Sequence, residues 1–292
     1  MDELTAVLRA RGLVSKVAPA GIPVELVAYA NEVGARIKVA QDLGADEDGF
    51  SMMMPNGAFG ICVNGNQSDE RQRFTICHEL AHIILDLPSQ HGAVPSWSYV
   101  KRPPNEVLCD VFAAELLLPY KLFKPLVDKT DYSLASIGAL AQRFEASLLA
   151  TGSRFAALSK LPCAFVLCEQ GKVRYASRSM ALRDASGWIT LGANIPDGSI
   201  ASRTRAGGIP PGPEEVDVEV WFPDWEQDGT LIEDARHLHA YDQTASLLWF
   251  EDVEDVGDFR PRAESKATRD ENLYGLAELD GVLPWPGRSR RR

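Results

Sequence analysis

Apolar stretches of different lengths alternate with polar segments in the first 120 residues, and each length favours a different element. Residues 36–40, 49–54 and 58–64 form short apolar stretches separated by Asp/Gly and Pro-Asn-Gly segments. Such segments are typical of tight turns between neighbouring strands. The pattern therefore predicts three strands in a small antiparallel sheet, preceded by a packing helix that Pro23 leads in.

Longer apolar stretches follow and predict helices. Residues 68–88 contain no glycine or proline before Pro88, and Ser68 is placed to cap the helix that this stretch predicts. Residues 105–119 predict a second helix, which Pro119 ends. A third helical region, 133–158, breaks at Glu-Ala-Ser and predicts a short helix-turn-helix.

The pattern changes near residue 160, where short apolar stretches broken by Gly, Pro and Asp predict strands. These strands are expected at 164–168, 172–176, 188–192, 216–222 and 245–251. The fold class expected for the whole chain is α+β. The expected organisation is a first domain at 1–125, a helix-turn-helix region at 126–160, a C-terminal α+β or mostly β domain at 161–258 and a flexible tail at 259–292.

Composition and charge exclude several classes of function. A formal net charge of -11 argues against a general binder of nucleic acid or acidic membranes, because phosphate groups are neutralised by a basic surface. No apolar run reaches the roughly 18–20 residues that span a bilayer, and the N-terminus has no continuous apolar segment typical of a signal peptide. Five thinly spread cysteines do not form a disulfide framework. We expect a cytoplasmic protein with buried thiols.

The stretch "HELAH" within the first long helix indicates a metal site. His78 and His82 are four residues apart, so on a helix both imidazoles face the same side and reach one ion. Glu79 lies beside the first of them, where a carboxylate reaches a water on that ion and serves as general base. The alternative, a solvated helix face, conflicts with the apolar residues around the motif, because buried unpaired His and Glu are costly.

A catalytic zinc usually has three protein ligands, so a third must come from elsewhere. His91 does not fit the long zincin pattern, and the acids of the next helix are Glu106, Asp110 and Glu115. Glu106 and Asp110 are four apart and share a face, whereas Glu115 lies about 90° beyond Asp110. We expect Glu106 to be the ligand, Asp110 to orient a metal-bound histidine through its other N–H, and Glu115 to be solvated or paired nearby.

Two stretches together resemble the ImmA/IrrE family of bacterial and phage metallopeptidases. They are "NGAFGICVNGNQSDERQRFTICHELAHIILDLP" and "NEVLCDVFAAELLLP", and the resemblance covers about residues 20–120. It implies a zincin-like metallopeptidase domain in which the acid that opens the second stretch, Glu106, is the third ligand. It also implies a helix-turn-helix at 133–158 and a separate regulatory or substrate-contacting module at the C-terminus.

Characterised members of that family cut a helix-turn-helix transcriptional repressor and so release phage, mobile-element or DNA-damage genes. The resemblance therefore implies zinc-dependent peptide hydrolysis, with manganese as the alternative metal and Glu79 as general base. Tyr99 is the first choice for the donor that stabilises the oxyanion, ahead of His91 and Lys101.

A second hypothesis is a metal-containing helix-turn-helix transcription regulator without protease activity. Direct DNA binding is not expected, because "SLLATGSRFAAL" contains only one basic residue, Arg154. A third reading makes the C-terminal domain a small-molecule sensor, for which the sequence offers no ligand motif.

Overall fold

The computed structural model describes residues 1–44, 47–89, 103–208, 212–225 and 229–251. The chain divides into two compact units. The first contains Met1–Leu126 with Gly138–Thr151, and the second contains Val127–Ile137 with the chain from Gly152 onward. The domain boundaries expected from the sequence stay a prediction.

The first unit combines a three-stranded sheet with helices that precede and follow it in the sequence. Its helices in the described residues are α1 (Glu3–Val17), α2 (Leu26–Glu32), α3 (Asp69–Leu85), α4 (Pro104–Leu117) and α5 (Tyr120–Val127). Its strands are β1 (Ala35–Ala40), β2 (Gly49–Met53) and β3 (Phe59–Asn64). The apolar pattern did not predict α1, which is capped by the Asp2 side chain and packs its buried face against α4.

The three predicted strands of the first unit are confirmed, but the predicted antiparallel arrangement is wrong because the sheet is mixed. β3 lies in the middle, parallel to β1 and antiparallel to β2. The turn at 54–58 closes a tight β2–β3 hairpin, whereas β1 and β2, which follow one another in the sequence, lie at opposite edges of the sheet with β3 between them. Turn residues indicate where a strand ends, but they do not show which neighbour it will pair with.

Side chains from β3 and α3 hold the long connection in place. The buried Asn64 amide donates to the backbone carbonyls of Gly44 (2.9 Å) and Glu47 (2.8 Å). The Arg71 guanidinium binds Asp48 through two bonds, Nε to Oδ1 at 3.1 Å and Nη2 to Oδ2 at 2.5 Å. These contacts fix the entry to β2, the strand that runs beside α3.

The two long predicted helices are confirmed as α3 and α4. The Ser68 hydroxyl caps α3 by accepting from the Arg71 amide, and Asp86 ends the helix with a left-handed backbone at φ 55°. α4 begins at Pro104 and ends before Pro119. α3 packs on α4 on one side and on β2 and β3 on the other, which buries the middle of α3. The residues of the "HELAH" stretch therefore face packed elements rather than solvent.

The predicted break between two helices at Glu-Ala-Ser is also confirmed. α6 (Leu134–Phe144) and α7 (Leu148–Leu158) are separated by 145–147, where Glu145 has a left-handed φ of 52°. Arg154, the single basic residue of the predicted recognition segment, is 0% exposed. A buried guanidinium is not available to a phosphate group, and direct DNA binding by this helix pair stays untested.

A five-stranded antiparallel sheet forms the second unit. Its strands are β4 (Cys163–Glu169), β5 (Lys172–Arg178), β6 (Glu214–Val216), β7 (Thr230–Leu238) and β8 (Gln243–Glu251), in the order β5-β4-β8-β7-β6. Short helices α8 (Met180–Asp184), α9 (Ile200–Arg205) and α10 (Val218–Trp221) accompany it, and a 3₁₀ turn, His239–Tyr241, links β7 to β8. No helix in the described part of the chain is long and apolar enough to cross a bilayer.

Two of the predicted C-terminal strands are wrong, β7 was missed, and β6 shares only Val216 with the predicted segment 216–222. Residues 188–192 form no strand, and most of 216–222 forms α10 rather than a strand. β7 was missed because Glu233 and Asp234 interrupt its apolar pattern, although both are buried. Buried carboxylates that are fully hydrogen-bonded belong to the core, and an apolar pattern does not reveal them.

Glu233 ties four elements of the second unit together. Its carboxylate accepts from the amides of Ile200 (2.8 Å) and Ala201 (3.0 Å) on α9, from Trp221 Nε1 on α10 (3.0 Å) and from Ser246 Oγ on β8 (3.0 Å). Burial raises the pKa of Glu233, and these four hydrogen bonds oppose that effect. The carboxylate is therefore a buried acceptor shared by four donors.

We expect Glu233→Ala to lower the free energy of unfolding by about 3–5 kcal/mol, because four buried donors lose their acceptor. The exposed Glu215 on β6 provides the control, since its replacement by alanine should change stability by less than about 0.5 kcal/mol. Chemical denaturation followed by tryptophan fluorescence measures both variants. Equal midpoints for the two variants would show that the cluster around Glu233 does not stabilise the fold.

Candidate metal site

The middle of α3 brings two imidazoles together. His78 and His82 lie one turn apart, and both are buried. Their Nε2 atoms are 3.1 Å apart, and the rings are nearly perpendicular at a centroid distance of 4.9 Å. The two nitrogens therefore point at one small volume.

α4 adds two carboxylates on the face that packs against α3. Glu106 Oε2 lies 3.1 Å from His78 Nε2, and its Oε1 lies 3.6 Å from His82 Nε2. Asp110, which is 1% exposed, reaches the other side of the first ring, with Oδ1 2.8 Å from His78 Nδ1. The structure thus places Glu106 on the side of both Nε2 atoms and Asp110 behind His78.

The hydrogen bonds at Nδ1 decide which nitrogens are left to bind a cation. Asp110 accepts from His78 Nδ1–H, and the Leu87 carbonyl accepts from His82 Nδ1–H at 3.3 Å. In neutral rings each Nε2 then carries a lone pair, and the two lone pairs and a carboxylate converge without a donor between them. Such a cluster requires a positive charge, either a proton or a metal ion.

The pKa values of His78 and Glu106 also indicate that the cluster favours a positive charge. Burial disfavours the charged form of His78, but its contacts with Asp110 and Glu106 outweigh burial and raise its pKa to about 10. Burial likewise disfavours ionised Glu106, yet hydrogen bonds from the two histidines lower its pKa. The surroundings therefore stabilise positive charge between these side chains.

The separations of the donor atoms also fit a metal ion. In a tetrahedral site with metal–ligand bonds of about 2.0–2.1 Å, neighbouring ligand atoms lie about 3.3 Å apart. The three separations in the structure are 3.1 Å, 3.1 Å and 3.6 Å. Two imidazoles and one carboxylate are also a donor set that zinc accepts. His78, His82 and Glu106 therefore fit the metal that the sequence predicted.

A third residue of α4, Cys109, lies close to the same histidines. The Cys109 sulfur and a ring nitrogen of each of His78 and His82 all lie within 4.8 Å of one another, and Cys109 is completely buried. The sequence analysis treated this residue as one of five buried thiols and not as a ligand, although it lies three positions after Glu106 on α4. Glu106 and Cys109 are therefore two neighbouring α4 side chains beside the histidines, and the choice of Glu106 as third ligand stays a prediction.

Glu79 lies against β2 rather than among the donor atoms. Its Oε2 accepts from Ser51 Oγ at 2.7 Å and from Ser89 Oγ at 3.2 Å, and the residue is 4% exposed. The sequence analysis did not identify either serine as a partner of Glu79. Ser51 is 28 positions away from Glu79 in the sequence, and only the fold brings the two side chains together. The two bonds to Oε2 fix the carboxylate's orientation beside the histidines.

Other predicted residues have different outcomes. Tyr99, His91 and Lys101 lie outside the described residues, so the choice of oxyanion donor stays a prediction. Glu115 is buried rather than solvated, and it is paired with Arg11 of α1 (3.3 Å) and with the Tyr120 amide (3.0 Å). These partners lie on α1 and α5, so the alternative that Glu115 is paired nearby is confirmed.

We expect Asp110→Ala to weaken metal affinity by roughly 10–100-fold without abolishing binding, because His78 loses the acceptor that orients its ring. Asp110→Asn retains an acceptor oxygen and should recover part of this loss. Competition with a chromophoric chelator measures the affinity of each variant. Unchanged affinity in Asp110→Ala would rule out an orienting role.

The part of the chain that contains this site is similar in sequence to known proteins. Residues 30–156 match the family described as the IrrE N-terminal-like domain. The radiation response metalloprotease IrrE of Deinococcus radiodurans is 30% identical over 117 residues, which cover 38% of this chain and 35% of that protein. The protein of the same name from Deinococcus deserti is 28% identical over 116 residues, which cover 37% of this chain and 40% of that protein. The matched part is thus well under half of each relative.

One solved structure resembles a larger part of the chain. It is a Mycobacterium tuberculosis transcriptional regulator with a TM-score of 0.53, and the likeness covers 84% of this chain and 74% of that one. The sequence identity is 13%, so the likeness concerns the fold alone.

Proposed function

We propose that this chain is a metal-dependent endopeptidase of the ImmA/IrrE family that hydrolyses a peptide bond in a helix-turn-helix transcriptional repressor. The match of residues 30–156 to the IrrE N-terminal-like domain and the similarity to two metalloproteases support the family and the reaction class. The observation that carries the proposal is the separation of roles in the site. His78, His82 and Glu106 converge on one point, while Glu79 stays outside that set and is held beside it. A structural site would close with a fourth protein ligand instead.

Zinc is the proposed metal, with manganese as the alternative. When bound, the ion would polarise the scissile carbonyl and lower the pKa of a water. Glu79 would take the proton from that water and later pass it to the leaving amine. Ser51 and Ser89 both donate to Oε2, so Oε1 is the oxygen left to handle the proton. Asp110 would keep His78 in the tautomer that presents Nε2.

The position of β2 explains how a peptide would approach Glu79. In the described sheet β2 pairs with β3 on one side only, and Ser51 in its middle contacts Glu79. An edge strand offers unpaired backbone groups to an extended peptide. A substrate segment paired there would lie along α3 with its backbone close to the proposed base.

The choice of a repressor as substrate rests on the family resemblance. The effect would be to release phage, mobile-element or stress genes, and a cytoplasmic location follows from such a substrate. We expect a small helix-turn-helix protein encoded beside this gene to co-purify with the metal-loaded Glu79→Gln variant. The wild type should cut the same protein at one site, as mass spectrometry would show. Failure of the wild type to cut any neighbouring repressor would contradict the substrate assignment.

The regulator hypothesis has less support. It requires a basic surface on the second helix of the pair, and Arg154 is buried there. Weak DNA binding with a shallow salt dependence is therefore expected, because few phosphate contacts are available.

A further inference from the structure

Cys109 gives the metal candidates a sulfur donor that the proposed function does not use. It lies on α4 one turn from Glu106 and beside Asp110, and its side chain is 0% exposed. Its sulfur and one nitrogen from each of His78 and His82 fall within a common distance of 4.8 Å. Two imidazoles and a thiol in this arrangement are a known donor set for thiophilic metals.

The two overlapping donor sets differ in chemistry. Glu106 contributes a hard carboxylate oxygen at 3.1 Å and 3.6 Å from the histidine nitrogens. Cys109 contributes a soft sulfur that lies within 4.8 Å of a ring nitrogen of each histidine. Small, hard ions prefer the carboxylate oxygen as a ligand. A large, soft ion forms longer bonds and prefers the thiolate sulfur.

We propose that His78, His82 and Cys109 form a second, sulfur-containing site that soft divalent cations, represented by cadmium, select over the Glu106 set. This inference rests on the proposed function only for the role of the two histidines. Binding releases the thiol proton to solvent, and the sulfur lone pair forms the new bond to the metal. No oxidation takes place.

Cadmium bound in this way should change the site's behaviour. A sulfur ligand supplied by α4 needs no carboxylate, so cadmium should still bind when Glu106 is replaced by alanine. The same substitution should strongly weaken the binding of zinc and manganese. Metal selectivity would thus depend on which of two neighbouring α4 side chains completes the site.

Cadmium NMR of the full chain tests this directly, because a thiolate ligand moves the cadmium resonance strongly downfield of a site made only of nitrogen and oxygen. We expect one equivalent of cadmium with a thiolate-type shift in the wild type and in Glu106→Ala. In Cys109→Ala the thiolate shift should vanish and cadmium affinity should fall at least tenfold, while zinc affinity changes by less than about threefold. Cys77→Ala, which removes a buried thiol from α3, should retain the wild-type spectrum.

Two results would overturn the inference. One is cadmium bound to the wild type without a thiolate shift, a measurement that does not depend on any variant folding. The other is a thiolate shift that persists in Cys109→Ala. A wild-type protein that binds neither cadmium nor zinc would instead refute the metal site of the proposed function.

Discussion

Glu79→Gln is expected to retain metal and fold while cleaving the partner repressor at least about 10²-fold more slowly, the lower end of the range for general-base catalysis. The glutamine keeps the size of the side chain and an oxygen that accepts from Ser51 and Ser89. It does not accept a proton from water. Because Glu79 lies outside the proposed ligand set, the ion should be bound as in the wild type. A time course of repressor cleavage, with metal content measured in the same samples, gives the result.

The control for this variant is Glu70→Gln, which neutralises an exposed acid in the first turn of the same helix and should leave cleavage unchanged. Full activity in metal-loaded Glu79→Gln would refute the mechanism. Loss of metal from that variant would instead mean that Glu79 is itself a ligand.

Glu106→Ala is expected to lower zinc affinity by more than about 100-fold, a larger loss than removal of a residue that only orients a ligand. The substitution removes the carboxylate that both Nε2 atoms face. Cleavage at saturating zinc should fall as well, because the ion is no longer held in one position. Isothermal titration calorimetry measures the affinity.

Asn105→Ala, at the neighbouring position of α4, is the matched control and should bind zinc as the wild type does. Undiminished zinc affinity in Glu106→Ala would remove Glu106 from the ligand set.

The helices around the site could be read from the sequence because local residues determine their ends. Ser68 caps α3, Pro119 follows α4, and Glu-Ala-Ser separates α6 from α7. Each of these features acts within a few residues of the helix end that it fixes. The spacing of His78 and His82 is equally local, since one helical turn brings the rings together.

The sheets were harder to predict from the sequence, because the pairing of their strands depends on residues that are far apart in the chain. The parallel pairing of β1 with β3 places β2 at the opposite edge, and Asn64 and Arg71 bind Gly44 and Asp48, which lie between β1 and β2 in the sequence. β7 was missed because its buried carboxylates find donors on α9, α10 and β8. Neither the parallel pairing nor β7 can be recognised from residues that are adjacent in the sequence.

In the candidate metal site, too, the sequence predicted the features that depend on local helix geometry and missed those that depend on distant residues. The face shared by Glu106 and Asp110 followed from helix geometry, and the structure brings both to His78. Ser51 and Cys109 had no such pattern, because serines and cysteines are common in strands and helices without any role in a site. Their proximity to Glu79 and to the histidines arises only when β2 and α4 pack on α3.

The central claim is that three side chains bind one ion and leave a position open beside Glu79. A crystal structure of the zinc-loaded protein, with anomalous data collected at the zinc edge, measures this directly. We predict a single peak about 2.0–2.2 Å from His78 Nε2, His82 Nε2 and a Glu106 oxygen, with a water as the fourth ligand and Glu79 hydrogen-bonded to that water. A zinc ion closed by four protein ligands, or a peak away from these side chains, would contradict the account.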